Sequence, residues 1–300
     1  MKKLFGVVCA SVTPMLPDGT VDLESAASLY RHLGAMGIHS LYPNGTNGES
    51  ISLTYEERCR LTDCVVRENA GKCSVYMQCG AATVTETKDN ILYAKAHGAD
   101  GVGIMTPVFF ATDDAALEQY YDDMLDAAGD MPSYVYNIPS RTGNDVSVVL
   151  MGRLMKKHAN LQGIKYSAPD LMRITGYVNC DPERHTDALI GCDNLALCCM
   201  DVGGAGWVSG PAAVFGERFV RLYDQISAGD TEDAKKTQLG IVRLGNGMAG
   251  IPEIPAIKYM LVKRGVIAHD TCRAPFRALT DAEKAALARL LAEYMKEENL

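Results

Sequence analysis

Several features that assign a chain to a function class are missing from this sequence of 300 residues. Basic residues form no block and the formal net charge is −8, which argues against a nucleic-acid partner and against binding to a membrane surface. No hydrophobic run approaches the length of a membrane span. The glycine-rich dinucleotide motif, the Walker loop and His-Glu-x-x-His do not occur, so nothing in the sequence requires a metal or an organic cofactor.

Cysteine is present, but not in a pattern that makes a site. The ten cysteines include no Cys-x-x-Cys pair, and their spacings fit no common zinc or redox motif. Cys198 and Cys199 are adjacent, which suits neither a shared metal site nor an easy disulfide. We therefore expect reduced, mostly buried thiols in a cytoplasmic protein.

Short β-like runs alternate with helical patterns along most of the chain. The predicted strands are Phe5–Val12, Ser40–Pro43, Ser74–Cys79, Gly101–Met105, Ser133–Tyr136, Leu161–Lys165, Ala188–Ile190 and Gly206–Ser209. The predicted helices between them are Leu23–Met36, Tyr55–Glu68, Thr85–His97, Ala115–Ala128 and Val146–Lys157. This alternation predicts a parallel sheet with crossover helices, and eight units without a linker favour an α/β fold of the closed (β/α)8 type, a TIM barrel.

Both ends of the chain need separate treatment. Lys2-Lys3 before the apolar run 4–12 resembles the start of a signal peptide, but the run is short and lacks a clear cleavage site, so a first barrel strand explains it better. Beyond residue 228 only helices are predicted, over 231–245, 254–264 and 281–298. We therefore divide the chain into a barrel, 1–228, and a C-terminal helical extension packed on it, 229–300.

Lys165 follows the short apolar run that ends in Gly163-Ile164, a position typical of the C-terminal tip of a buried strand. Burial there disfavours the ammonium form and leaves a nucleophilic amine. Such an amine condenses with a ketone to give a Schiff base, which serves as an electron sink. The alternative is a strand-end lysine whose amine reaches into solvent.

Tyr136 ends the predicted strand before that of Lys165, and neighbouring strands lie about 4.8 Å apart. Its hydroxyl could therefore reach a Schiff base on the lysine and carry protons, or instead bond to a backbone carbonyl. Arg141 follows where the chain leaves the strand, and its guanidinium could hold a carboxylate or form a surface salt bridge.

The turn after the second strand, Asn44-Gly45-Thr46-Asn47-Gly48-Glu49-Ser50, contains two glycines. Such a turn can direct backbone N–H groups and the Thr46 hydroxyl at a small anion such as a carboxylate. The alternative is a plain loop in which Glu49 caps the next helix.

Taken together, these segments resemble the pyruvate-dependent class I aldolases grouped as dihydrodipicolinate synthase and N-acetylneuraminate lyase, from Gly6 to about Leu279. The resemblance rests on Gly45-Thr46-Asn47-Gly48-Glu49, Tyr136-Asn137-Ile138-Pro139, Gly163-Ile164-Lys165 and Gly191-Cys192-Asp193. It implies a (β/α)8 barrel with a C-terminal helical extension, a homotetramer built as a dimer of dimers, and no cofactor. The implied partners are pyruvate and a small aldehyde or keto acid.

The resemblance also implies residue roles. Lys165 corresponds to the lysine that captures pyruvate, Tyr136 to the proton-relay tyrosine, and Thr46 to the residue that orders the relay and helps to seat the pyruvate carboxylate. The implied substrate-binding residues are Gly45, Asn47, Arg141, Asp193 and Val208, with Asn47 at a position where the synthases usually carry threonine.

Arg141 matches the synthase arginine that binds the carboxylate of the aldehyde, whereas neuraminate lyases carry an apolar residue there. The resemblance therefore points to L-aspartate semialdehyde and away from sialic acid. Phe109 stands where the synthases have a relay tyrosine that crosses a subunit interface. Phe109 and Asn47 together leave a second function possible, a catabolic aldolase or dehydratase for a 2-keto-3-deoxy or 4-hydroxy-2-keto acid. Phe109 alone leaves a third, a keto-acid sensor without turnover.

Regulation by lysine is a separate expectation. Two histidines and an asparagine that often form the lysine-binding pocket of the synthases are replaced by Tyr55, Arg58 and Ala82. We therefore predict a protein that free lysine does not inhibit at physiological concentration.

Overall fold

A computed structural model describes residues 2–69 and 71–300. Eight parallel strands follow one another around a closed barrel in chain order, and the last strand pairs with the first. The strands are β1 (Gly6–Cys9), β2 (Ser40–Leu41), β3 (Ser74–Gln78), β4 (Gly101–Met105), β5 (Ser133–Asn137), β6 (Leu161–Tyr166), β7 (Asp187–Ile190) and β8 (Gly206–Ser209). The predicted TIM barrel is confirmed.

Three of the strands are shorter than predicted, β3 by the single residue Cys79. β1 ends at Cys9 instead of Val12, and β2 ends at Leu41 instead of Pro43. A proline has no N–H to donate across a sheet, so Pro43 belongs to the loop that follows. As a result, the loop after β2 begins deeper in the barrel mouth than the sequence indicates.

Helices connect the strands on the outside of the barrel. The first five are α1 (Leu23–Ala35), α2 (Tyr55–Asn69), α3 (Val84–Ala96), α4 (Asp114–Ala128) and the short α5 (Pro139–Thr142). They are followed by α6 (Val148–Lys157), α7 (Leu171–Val178), α8 (Ala196–Asp201) and α9 (Ala212–Ala228). The five predicted connecting helices are present within two residues at each end, whereas α5, α7, α8 and α9 were not predicted.

The apolar side chains form two layers, one inside the barrel and one between the strands and helices. Successive residues of a strand point to opposite faces, so Val208 faces the interior while Trp207 packs, fully buried, on the helix side. The large ring of Trp207 therefore stays out of the barrel mouth. Tyrosines fill much of the interior, and a Cβ atom on Gly103 would lie 1.7 Å from the Tyr42 hydroxyl, so β4 needs glycine there.

Three helices complete the chain: α10 (Thr231–Gly247), α11 (Glu253–Lys263) and α12 (Asp281–Glu298). They match the three predicted helices, and α12 begins with a capping box in which Thr280 and Glu283 satisfy each other's backbone N–H groups. The division of domains at residue 228 stays a prediction. In the described part of the chain, no helix combines the length and apolarity needed to cross a membrane.

All ten cysteines are free thiols, six of them buried. The expectation of mostly buried cysteines is confirmed.

Candidate active site

A cavity of about 530 Å³ opens at the carboxyl ends of the strands, the face on which TIM barrels carry their active sites. It brings together seven of the eight residues expected to form the site: Thr46, Asn47, Tyr136, Arg141, Lys165, Asp193 and Val208. Gly45, the eighth, is buried and does not line the cavity. Glu253 lines it as well, although no pattern in the sequence singles this residue out.

Lys165 lies near the end of β6, with its side chain turned into the barrel. It is only 4% exposed, so the alternative of a solvated strand-end lysine is wrong. Its Nζ atom lies 3.8 Å from the centroid of the Tyr136 ring and 4.6 Å from that of Tyr42. Burial lowers the pKa of Lys165 below its ordinary value, and the opposing influences of Tyr136 and Glu253 are smaller. The site therefore favours the neutral, nucleophilic amine.

Tyr136 is the direct strand neighbour of Lys165, since the two residues are paired across β5 and β6. Its hydroxyl shares a hydrogen bond of 3.0 Å with the Thr46 hydroxyl. The hydroxyl is thus held by a side chain that lines the cavity, instead of by a backbone carbonyl. Lys165 thus faces the Tyr136 ring, and the Tyr136 hydroxyl bonds to Thr46, so the three side chains adjoin one another in the cavity.

The loop that carries Thr46 differs from the expected glycine turn. The residues with left-handed backbone are Asn44, with φ 58°, and Glu49, with φ 57°, rather than the two glycines. Gly48 is needed for another reason: a Cβ atom there would come within 3.2 Å of the Asn44 backbone nitrogen. The turn is therefore shaped by close packing and by two strained residues.

The suggestion that Glu49 caps the next helix is also wrong. Its carboxylate is fully buried and forms an ion pair of 2.5 Å with Lys258 of α11. The backbone N–H of Arg273 donates to the same carboxylate at 2.9 Å, and Lys258 also donates to the Thr271 carbonyl at 2.7 Å. This network ties the loop of Thr46 to the C-terminal helices.

Arg141 lies at the outer part of the cavity, in the short helix α5. This helix begins with Pro139 and ends at Gly143, whose φ of 78° allows the left-handed C-cap. The Arg141 side chain is exposed and has no hydrogen bond or ion pair to any described residue. The guanidinium is therefore available to bind an acidic group.

Asp193 begins a short 3-10 turn just after β7. Its carboxylate accepts a hydrogen bond of 2.9 Å from the Ser209 hydroxyl, and its backbone carbonyl accepts one from Gln238 at 2.9 Å. Burial raises the pKa of Asp193 to about 7, against the opposing influence of the Ser209 hydrogen bond. Asp193 can therefore exist in both protonation states near neutral pH.

Two cavity side chains meet above Gly210. A Cβ atom on this glycine would lie 2.1 Å from Asn47 Nδ2 and 3.0 Å from Glu253 Oε1, so both groups occupy the space that a side chain would need. Asn47 Nδ2 also donates to the Ala10 carbonyl at 3.5 Å. Val208, just before this position on β8, is 5% exposed and lines the inner part of the cavity.

Phe109 does not line the cavity. It has a left-handed backbone, with φ 75°, and is 86% exposed beside the exposed ring of Phe110. Its backbone N–H donates to the Thr142 carbonyl at 3.2 Å. Within one chain, its ring is therefore not part of the polar chain formed by Tyr136 and Thr46.

The residues expected near a lysine-binding pocket include one buried cation. Arg58 is 2% exposed and donates to the carbonyls of Gln78 and Gly80, at 2.9 and 3.1 Å. It also lies 3.9 Å from Glu86. Tyr55 packs edge-on against Tyr93, while Ala82 is exposed. This region therefore holds a positive charge of its own.

The chain is similar to known proteins over nearly its whole length. A family model described as the Dihydrodipicolinate synthetase family matches residues 3–294. An uncharacterized DapA-like lyase of Halobacterium salinarum is 36% identical, covering 97% of this chain and 94% of that protein. A 4-hydroxy-tetrahydrodipicolinate synthase of Phenylobacterium zucineum is 33% identical, covering 96% and 95%. The chain also superposes on the crystal structure of YagE from E. coli K12, a prophage protein of the dihydrodipicolinic acid synthase family in complex with pyruvate. The TM-score is 0.92 at 23% identity, and the match covers 97% of this chain and 98% of YagE.

Proposed function

The chain belongs to the dihydrodipicolinate synthetase family, whose members are lyases and synthases of the class I aldolase type, and from this premise we propose that it condenses pyruvate with an aldehyde that bears a carboxylate. The observation that carries the proposal is the buried Lys165, whose amine faces the Tyr136 ring at 3.8 Å. Pyruvate is the expected first substrate, and YagE, which shares this fold, holds pyruvate.

Each inner residue has a role in the proposed reaction. The Lys165 amine attacks the keto carbon of pyruvate, and loss of water gives the Schiff base. The Tyr136 hydroxyl, oriented by Thr46, moves the protons of this step. The Thr46 hydroxyl and the Asn47 amide then hold the pyruvate carboxylate beside Val208. Removal of a proton from the methyl group gives an enamine, the nucleophile for the aldehyde.

Arg141 suggests which aldehyde this is. Its guanidinium has no partner among residues 2–69 and 71–300 and can bind a carboxylate through two parallel hydrogen bonds. L-aspartate semialdehyde carries such a carboxylate and is our leading candidate, which would make the enzyme a 4-hydroxy-tetrahydrodipicolinate synthase. The name of the relative from Phenylobacterium zucineum supports this choice.

A second candidate is a catabolic aldolase or dehydratase for a 2-keto-3-deoxy or 4-hydroxy-2-keto acid. Phe109, which has no hydroxyl, and Asn47 favour it, because both depart from the synthase pattern. Sialic acid is a weaker candidate, since Gly210 offers no hydroxyl to a polyhydroxylated substrate. We further propose a homotetramer, which light scattering would test; the cytoplasmic location stays a prediction.

Borohydride reduction tests the chemistry. With pyruvate present, it should leave a reduced three-carbon adduct on Lys165, detected by mass spectrometry, and none on the exposed Lys236. The variant Lys165→Arg should give no adduct. An unmodified Lys165 in the native protein would end the proposal. A panel of aldehydes, with and without a carboxylate, then separates the two candidates by rate of condensation.

A further inference from the structure

Glu49 and Lys258 do not line the cavity of Lys165, yet a short turn joins their ion pair to Thr46. We propose that this pair is a positioning element of the active site, which holds the Thr46 hydroxyl where it can orient Tyr136. The inference rests on the proposed function, in which Tyr136 moves the protons of Schiff-base formation. It gives the C-terminal helices a part in the chemistry, because Lys258 belongs to α11.

Thr46 and Glu49 are the two ends of one tight turn. The backbone N–H of Glu49 donates to the Thr46 carbonyl at 3.0 Å, and that of Ser50 donates to the Gly45 carbonyl at 3.3 Å. At the front of the turn, the Thr46 hydroxyl meets that of Tyr136 at 3.0 Å. A shift of Glu49 therefore moves the Thr46 side chain relative to the strand that carries Tyr136.

The backbone of Glu49 makes the turn depend on this ion pair. Its φ of 57° lies in the left-handed region, which costs energy in a residue other than glycine and persists only where the surroundings enforce it. The carboxylate accepts from Lys258 at 2.5 Å and from the Arg273 N–H at 2.9 Å, and the Glu49 and Lys258 side chains are fully buried. Within the described part of the chain, both partners of this carboxylate thus come from beyond the barrel strands.

The start and the middle of the same loop are held by residues of the barrel. The Gln78 amide of β3 donates to the Asn44 carbonyl at 3.0 Å, and the Thr13 hydroxyl donates to the Gly48 carbonyl at 2.8 Å. These contacts remain when the ion pair is removed. We therefore expect its loss to free the end of the turn that bonds to Thr46, and so to displace the hydroxyl of that residue without unfolding the loop.

The test removes the pair without leaving an unpaired charge. Both charges are absent in Glu49→Gln/Lys258→Met, and replacing a buried pair by neutral groups costs far less stability than removing one partner. The matched control Arg218→Met breaks another buried ion pair, the one that joins Arg218 of α9 to Glu298 of α12, and so reports the effect of lost stability alone. Circular dichroism at the assay temperature checks that the variants are folded. If the double variant does not fold, Glu49→Gln alone takes its place.

The measured quantity is the rate of Schiff-base formation on Lys165. The full-length protein is mixed with saturating pyruvate, borohydride is added at successive times, and mass spectrometry gives the modified fraction of Lys165. Glu49→Gln/Lys258→Met should form the Schiff base about 10- to 100-fold more slowly than the native protein, since a small misplacement that originates far from the chemistry can cost about 100-fold. Arg218→Met should form it at the native rate.

A double-mutant cycle with Thr46→Val separates positioning from a general structural effect. Thr46→Val removes the hydroxyl that orients Tyr136, so it should slow Schiff-base formation by itself. In a protein that already carries Thr46→Val, loss of the ion pair should cause little further slowing, because no hydroxyl remains to be positioned. Two changes that act independently would instead multiply their effects on the rate.

Failure of the inference is distinct from failure of the proposed function. Effects that multiply fully in the presence of Thr46→Val would overturn the inference, as would equal slowing in Arg218→Met or a native rate in Glu49→Gln/Lys258→Met. A native rate in Thr46→Val would overturn it too, since the ion pair would then have no catalytic group to position. In each of these cases native Lys165 still captures pyruvate and the proposed function stands. If native Lys165 is not trapped, the proposed function itself fails.

Discussion

The buried pair of Glu49 and Lys258 yields the sharpest prediction of stability. Both side chains are fully buried, and Lys258 donates to Glu49 and to the Thr271 carbonyl. Lys258→Met removes both donors and leaves the carboxylate with only the Arg273 N–H. Loss of one partner from a buried pair costs about 3–5 kcal/mol. Because a buried carbonyl also loses its donor, we expect the free energy of unfolding to fall by an amount in the upper half of that range.

Urea denaturation followed by circular dichroism measures this loss. The matched control is Lys236→Met, which breaks an exposed pair with Asp233 and should cost less than about 1 kcal/mol. The double variant Glu49→Gln/Lys258→Met should recover much of the stability, because no unpaired charge remains. A loss in Lys258→Met no larger than in the control would refute the reasoning. So would a double variant as unstable as the sum of its single changes.

Three further predictions concern activity. Burial lowers the pKa of Lys165 below its ordinary value of 10.5. The rate of pyruvate trapping by cyanoborohydride should therefore rise with pH, as the amine loses its proton, and reach a plateau below pH 10.5. A plateau only above that pH would contradict the assignment. Arg141→Ala should raise the KM for a carboxylate-bearing aldehyde about 10- to 150-fold in steady-state assays, since a charged hydrogen bond contributes about 1.5–3 kcal/mol. The KM for pyruvate should change less. Equal effects on the two KM values would exclude the assigned role. Free lysine at about 1 mM should not inhibit the condensation, because the buried Arg58 already pairs with Glu86. This concentration is enough to half-fill even a weak site. Clear inhibition would therefore show that a lysine-binding site is present.

The barrel strands could be predicted because parallel strands are continuous apolar runs with sharp ends. β4 matches its prediction at both ends, from Gly101 to Met105. Closure could only be inferred from the number of units, since the pairing of Gly6 with Gly206 leaves no local pattern. α7 and α8 were missed because eight and six residues are too few to show a helical period. α9 is long enough, but its backbone leaves the helical region at Phe215.

The inner part of the site was predictable for a related reason. Lys165 and Tyr136 lie near the ends of adjacent strands, and the order of strands in a barrel follows the order of the chain. Glu253 could not be found in this way, because its place depends on how α11 packs across the barrel mouth. Its position directly after Pro252, at the start of a helix, was the one available signal, and the sequence offered nothing to connect it with Lys165.

The two tyrosine rings beside Lys165 bear on the iminium ion that follows capture of a ketone. Aromatic faces attract a cation through their quadrupole, yet they accept no proton from it. With Tyr136 and Tyr42 at 3.8 and 4.6 Å, the nitrogen can stay positive in an apolar enclosure and withdraw electrons from the substrate. The same enclosure thus favours a neutral amine before the ketone is captured and stabilises a cationic nitrogen afterwards.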